Sequence, residues 1–140
     1  MLSTTTITAC QTLRALVKDM TVNERSIMLR KRLKKLVGSK VYCPALGYVK
    51  IVKTSVKETA NYAAKRPEST LVALNLAKVI KAAKEISEIG APKANKTQTK
   101  LKLGKMYTLL VNVKGIGVAK LMIGWSEDSY YVEYCCTVQK

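Results

Sequence analysis

Lys57 in "SVKET", and Lys120, Tyr131 and Glu133 in "VAKLMIGWSEDSYYVEY", are residue types that move protons or meet phosphate charge. Cleaving RNA through its own 2′-hydroxyl needs a group that takes or positions a proton and an acid for the leaving oxygen. It also needs cations on the developing negative charge. Lysine, arginine, tyrosine and glutamate fill those roles without histidine or metal. Here Lys57, Lys114 and Lys120 would meet the charge, and Tyr131 or Glu133 would move or orient a proton. An ordinary solvated sheet face carrying the same residues is the plain alternative, and spacing alone does not separate the two. The chain has no histidine, and its four cysteines, at 10, 43, 135 and 136, show no C-x-x-C spacing. No metal site and no cofactor is therefore expected, and reduced cytosolic thiols are the simplest reading.

Charge points to the partner. Across 140 residues, 25 Lys and Arg stand against 9 Asp and Glu, a net charge of +16. A small domain this basic meets polyanions readily, because neutralising phosphates releases their counterions. The densest run is "RKRLKK", where Arg30, Lys31, Arg32, Lys34 and Lys35 form a helix face for phosphates or a merely solvated one. Lys53, Lys65 and Lys114 extend the expected nucleic-acid contacts, with RNA favoured over DNA. A non-catalytic nucleic-acid-binding or virion-associated protein would use the same surface. An adaptor or inhibitor docking to an acidic protein needs only the charge. No apolar run of about 18 residues exists to span a membrane, and the start of the chain lacks the pattern of a signal peptide. A cytoplasmic or virion-associated protein is expected.

These side chains need elements to hold them. At 48% hydrophobic, the chain has material for a real core. "TVNE", Thr21 to Glu24, is a capping box, and the spacing of Val22, Ser26, Leu29, Leu33 and Leu36 predicts an amphipathic helix closed by Gly38. Arg25 and the basic run fall on its other side. A shorter helix precedes it, so residues 1–39 read as a basic helical hairpin appended to an α+β domain at 40–140. "VYCPALGYVKIV" is hairpin-like, with its turn at Pro44 and Gly47. A helix then opens at Ser55 and stops before Pro67. Ser55-x-x-Glu58 has capping-box spacing, which gives Glu58 a structural task and leaves Lys57 open for chemistry. The next helix runs from about Glu68 to Ile89, followed by a basic polar loop, "APKANKTQTKLKLGK", that enters a strand near Leu101.

The last third alternates as a three-stranded antiparallel meander. Its turns fall at "KGIG" and "SEDS". Tyr107, Leu109, Val111, Val113, Ala119, Leu121, Ile123, Trp125, Tyr130, Val132, Tyr134, Cys136 and Val138 point inward in this pattern. Thr108, Asn112, Lys114, Lys120, Met122, Tyr131, Glu133 and Thr137 make a polar, basic outer face. The fold expected is α+β, with helices packed on one face of the meander.

"VYCPALGYVKIVKTSVKETANYAAK", "LNLAKVIKAAKEISEIG" and "YTLLVNVKGIGVAKLMIGWSEDSYYVEY" together resemble a small domain of large polyvalent proteins of phages and mobile elements. That domain is grouped with the barnase–EndoU–colicin–RelE nuclease fold. The resemblance covers about residues 40–138. It implies a metal-independent ribonuclease working through the open sheet face and the domain's first helix, with Lys57 and Tyr131 at the polar positions, and a phage or mobile-element protein as a partner. EndoU-like members use histidines, which this chain lacks, whereas RelE-like and some colicin-like members work with Lys, Arg and Tyr.

Overall fold

In a computed structural model of the chain, residues 3–7, 9–92, 102–126 and 130–139 are described, without the side chains at 130–132. The elements, in order, are β1 (Ser3–Thr5), α1 (Gln11–Asp19), α2 (Val22–Leu33), β2 (Lys40–Cys43), β3 (Gly47–Lys50) and α3 (Lys53–Ala63). Then come α4 (Pro67–Leu74), α5 (Leu76–Ala82), β4 (Ile86–Gly90), β5 (Leu103–Val113), β6 (Gly117–Ser126) and β7 (Tyr130–Gln139). The fold is α+β. The expected meander is present: β5 pairs antiparallel with β6, and β6 with β7. The β2–β3 hairpin, turning at Gly47 (φ +105), extends the sheet by laying β3 parallel to β7. At the far side β1 runs parallel to β5 over Val111–Val113, and β4 runs antiparallel to it over Met106–Leu109. The strand order is β1-β5-β6-β7-β3-β2.

The first forty residues share the core of the rest. Leu29 and Leu33 of α2 sit in one cluster with Val56, Ala60 and Ala63 of α3, Val72 of α4, Val79 and Ile80 of α5, and Leu109, Leu121 and Ile123 of the sheet. Thr21 caps α2 as its sequence predicts: the Glu24 N–H donates to the Thr21 hydroxyl at 3.1 Å, and the Thr21 N–H donates to the Glu24 carboxylate at 2.9 Å. The buried stripe of α2 is rotated from the expected one. Val22 is 50% exposed, while Arg25, expected among the solvated bases, is buried. Its guanidinium donates to the carbonyls of Val17 (2.9 Å) and Lys18 (3.5 Å), near the end of α1, and of Ala64 (3.1 Å), just past α3. They lie at helix C-termini, where Val17 also takes the Met20 N–H at 3.3 Å, and one cation serves two helix ends at once.

The helix expected over 68–89 is divided and shortened. The Asn75 side-chain amide donates to the Leu71 carbonyl (2.9 Å), the group its own backbone N–H would use in an unbroken helix. That N–H turns to Val72 instead. α5 ends at Ala82, and the carbonyl of its cap residue, Ala83, accepts from the Ala45 N–H at 3.1 Å and is lost to a further turn. Residues 86–90 then form β4, so Ile86 and Ile89 are exposed on a strand rather than carried on the end of a helix. The start of α3 is also corrected. It begins at Lys53, and Ser55 sits at its third position, accepting from the Val52 N–H at 3.2 Å. Ser55 therefore plays the backward-reaching part of a cap, and Glu58 lies a turn further on, outside it. The basic loop from 93 to the strand entry near Leu101, and the turn at 127–129, lie outside the described residues. Among those described, no helix is long and apolar enough to cross a membrane.

Arg25→Met keeps the stem but removes every donor, and should destabilise the chain by about 2–4 kcal/mol, because the helix-end carbonyls lose a charged, buried donor. Arg30→Met, on the exposed side of the same helix, should cost under about 0.5 kcal/mol. Urea unfolding of both variants checks the contrast.

Candidate nucleic-acid interface

Of the residues proposed for catalysis, Lys57 and Glu133 belong to the helix side of the sheet and Lys120 to its outer face. Strands β6 and β7 pair Ile123 with Glu133 but Met122 with Cys135, so Tyr134 is an extra residue, a bulge. A bulge reverses the alternation on its far side. Glu133, expected on the solvated face, is instead fully buried on the helix side, where the Thr59 hydroxyl of α3 donates to its carboxyl oxygens at 3.0 and 3.3 Å. Tyr134, expected inward, joins Cys135, Met106 and Leu103 on the outer face, with Met122 packed against them. Cys136 and Val138 keep their expected inward places, so the adjacent cysteines do face opposite ways. Burial lifts the Glu133 carboxyl to about 8, opposed only in part by the Thr59 hydrogen bond. Burial likewise raises Cys135 to about 12, helped by the charges of Glu133 and Glu58 and opposed by Lys120, and raises Cys136 as well.

Lys120 lies opposite Leu110 and Thr137, half-buried on the outer sheet face. That face is less polar than its sequence predicts, because Leu103 lies over Gly124 and the sulfur of Met122 meets the Thr108 hydroxyl at 3.4 Å. Lys114 is exposed at the β5–β6 turn, its N–H donating to Thr5 at 2.9 Å. Lys57 is exposed on α3, which packs against the inner face, so the sheet and its core lie between Lys57 and Lys120. The backbone of Tyr131 pairs with Val49 and Trp125, and its side chain is outside the described residues. Lys57, Lys120 and Glu133 do not share one centre. Among the described residues no three His, Cys, Asp or Glu side chains gather as a metal ligand set.

The basic residues assigned to binding fare differently. Arg25 of α2 reaches Ala64 beyond the end of α3, and Arg30 donates to the Asn61 side chain at 2.6 Å, so the two helices run antiparallel. Lys34, the residue just past the end of α2, and Lys57, one turn back from Asn61 on α3, both lie on from the Arg30–Asn61 contact in the same direction. Lys53, Lys57 and Asn61 are exposed at every fourth position of α3, and Lys65, just past its end, continues the spacing. The Lys65 ammonium lies 4.9 Å from the ring centroid of Tyr62, itself exposed. The result is a cationic ridge along two helices, and no Asp or Glu stands in the chain between Glu24 and Glu58. Lys31, Arg32 and Lys35 look the other way, into an open concavity of about 630 Å³ shared with Met20, Glu24, Ile27 and Met28.

Asn61 was not among the residues singled out from sequence. The signal that finds it is the four-residue period from Lys53 to Lys65, which makes an uncharged member of a basic stripe visible. Comparison with protein-family models, with curated proteins and with solved structures gives no match to this chain.

The Glu133 carboxyl binds its proton more tightly folded than unfolded, where it returns to about 4.5. Its contribution to stability is therefore complete below about 4.5 and falls as pH rises towards about 8, by up to about 1.4 kcal/mol per unit. Glu133→Gln, which imitates the neutral acid, should flatten that slope and unfold at higher urea than the parent at pH 8. Equal slopes in parent and variant would place the carboxyl in contact with water.

Proposed function

We propose that this chain is a nucleic-acid-binding module that seats the phosphates of a nucleic acid, RNA first, along the α2–α3 ridge. The observation that carries the reading is the antiparallel packing of α2 on α3, joined by Arg25–Ala64 and Arg30–Asn61, which sets the exposed bases of one helix alongside those of the other. Lysine and arginine in a stripe without acids offer phosphates both charge and hydrogen-bond donors, and such contacts position a backbone without reading its sequence. The separate placing of Lys57, Lys120 and Glu133 favours binding over cleavage. The resemblance to phage and mobile-element domains fits a module that meets nucleic acid in a host cytoplasm or a virion, and a partner protein there would belong to the same setting.

Binding to a single-stranded RNA should weaken steeply as salt rises, with a log–log slope of about −0.7 per phosphate neutralised. Replacing Arg30, Lys34, Lys53 and Lys57 together by Gln should lower affinity at least about tenfold and make that slope shallower, with the unfolding midpoint little changed. A flat slope in the parent removes the nucleic-acid reading. RNA incubated with the protein in EDTA should stay whole. Cutting that leaves 2′,3′-cyclic phosphate ends and disappears in Lys57→Ala would replace the binding module with a ribonuclease.

A further inference from the structure

Tyr42 and Tyr48 stand directly opposite one another on the β2–β3 hairpin. Val41, Cys43 and Val49, the alternate positions, are buried in the core, so both tyrosines project from the outer sheet face. Their rings meet edge to face, with centroids 5.4 Å apart and planes at 69°. They remain 51% and 63% exposed, the two most open tyrosines among the described side chains. A cross-strand aromatic pair steadies a hairpin, but that task is met by the edge contact and leaves ring faces bare. On the same face of the same two strands, Lys40 stands opposite Lys50. Each lysine is two residues from a tyrosine, about 7 Å along the strand. The hairpin face is thus two rings beside two lysines.

We propose that this hairpin is a stacking platform for the bases of single-stranded nucleic acid, a second contact surface on the opposite side of the molecule from the α2–α3 ridge. It rests on the reading that the chain binds nucleic acid, and it adds which form of nucleic acid is held. Rings inclined at 69° cannot continue one helical stack; they take two splayed bases, one on each. A duplex keeps its base faces paired and stacked and presents only phosphates, so it engages the ridge but not the rings. Lys40 and Lys50 provide charge for the phosphates of the nucleotides whose bases are held. Because every base has a π-face and the platform touches no sugar, it accepts RNA and single-stranded DNA alike.

The test compares the parent chain with Tyr42→Ala/Tyr48→Ala and Tyr42→Phe/Tyr48→Phe. The probes are oligouridylate, oligothymidylate and a duplex, each about 12 nucleotides long. The alanine pair should lose at least about tenfold in affinity for both single strands and keep its duplex affinity, while the phenylalanine pair, which retains the rings, should bind as the parent does. Unchanged single-strand binding by the alanine pair, an equal loss on the duplex, or a loss on one sugar type alone would overturn the platform. Should the alanine pair fail to fold, irradiating the parent chain with a 5-bromouracil oligonucleotide decides the matter. Adducts on the peptides bearing Tyr42 or Tyr48 support the platform, and adducts found only elsewhere overturn it. The parent chain's duplex binding reports on the ridge separately: if it persists while the rings prove idle, only the platform falls, and if the parent binds none of the three probes, both readings fall.

Discussion

Leu109, Val111 and Val113 of β5, Ala119, Leu121 and Ile123 of β6, and Cys136 and Val138 of β7 all project to the same side of the sheet. That one-sided burial governs the rest of the molecule. Each large apolar side chain taken out of water is worth about 1.5–3 kcal/mol, so the inner face must be covered, and α3, α4 and α5 cover it, with α2 laid over α3 and α4. The sheet's outer face carries only a small cluster, around Met106, Met122 and Tyr134. Polar chemistry is then left with two places: the backs of the helices and the outer face of the sheet. Lys57 lies on a helix back and Lys120 on the outer sheet face, so the two belong to different layers of the fold.

Much of the architecture is legible in the sequence because it follows from short-range rules. Alternation marks the three meander strands, Gly47 marks the hairpin turn, and the Thr21–Glu24 box marks the start of α2. What is not legible depends on partners far away in the chain. The extra residue at Tyr134 leaves the pattern of apolar residues in β7 plausible in either parity, and only pairing with β6 shows where the parity changes. The end of α5 depends on Ala45 taking the Ala83 carbonyl, and β1 and β4 are too short or too polar to stand out until β5 offers its edge. Arg25 reads as one more surface base because nothing local shows that two helix ends converge on it.

The same long-range logic explains why the proposed site residues split. Charge on a helix back is a local property, and Arg30, Lys34, Lys53, Lys57 and Lys65 are exposed as the helical period requires. Glu133 is a matter of register. Once the bulge turns it inward, it needs a donor, and Thr59 supplies one from the middle of α3. A buried carboxyl left without that partner would be costly, so the pair adds a polar tie to the packing of Val56, Ala60 and Ala63 that sets the rotation of α3 over the sheet. That rotation leaves Lys57 and Asn61 facing outward.

The central claim, that the α2–α3 ridge is the phosphate-binding surface, is tested most directly by lysine footprinting. The chain is acetylated briefly with acetic anhydride, alone and with excess single-stranded RNA at low salt, and the modified lysines are quantified by mass spectrometry. The account predicts that RNA protects Lys34, Lys53 and Lys57, while Lys78 and Lys81, equally exposed on α5, react as before. Protection spread evenly over all lysines, or confined to α5, would contradict it.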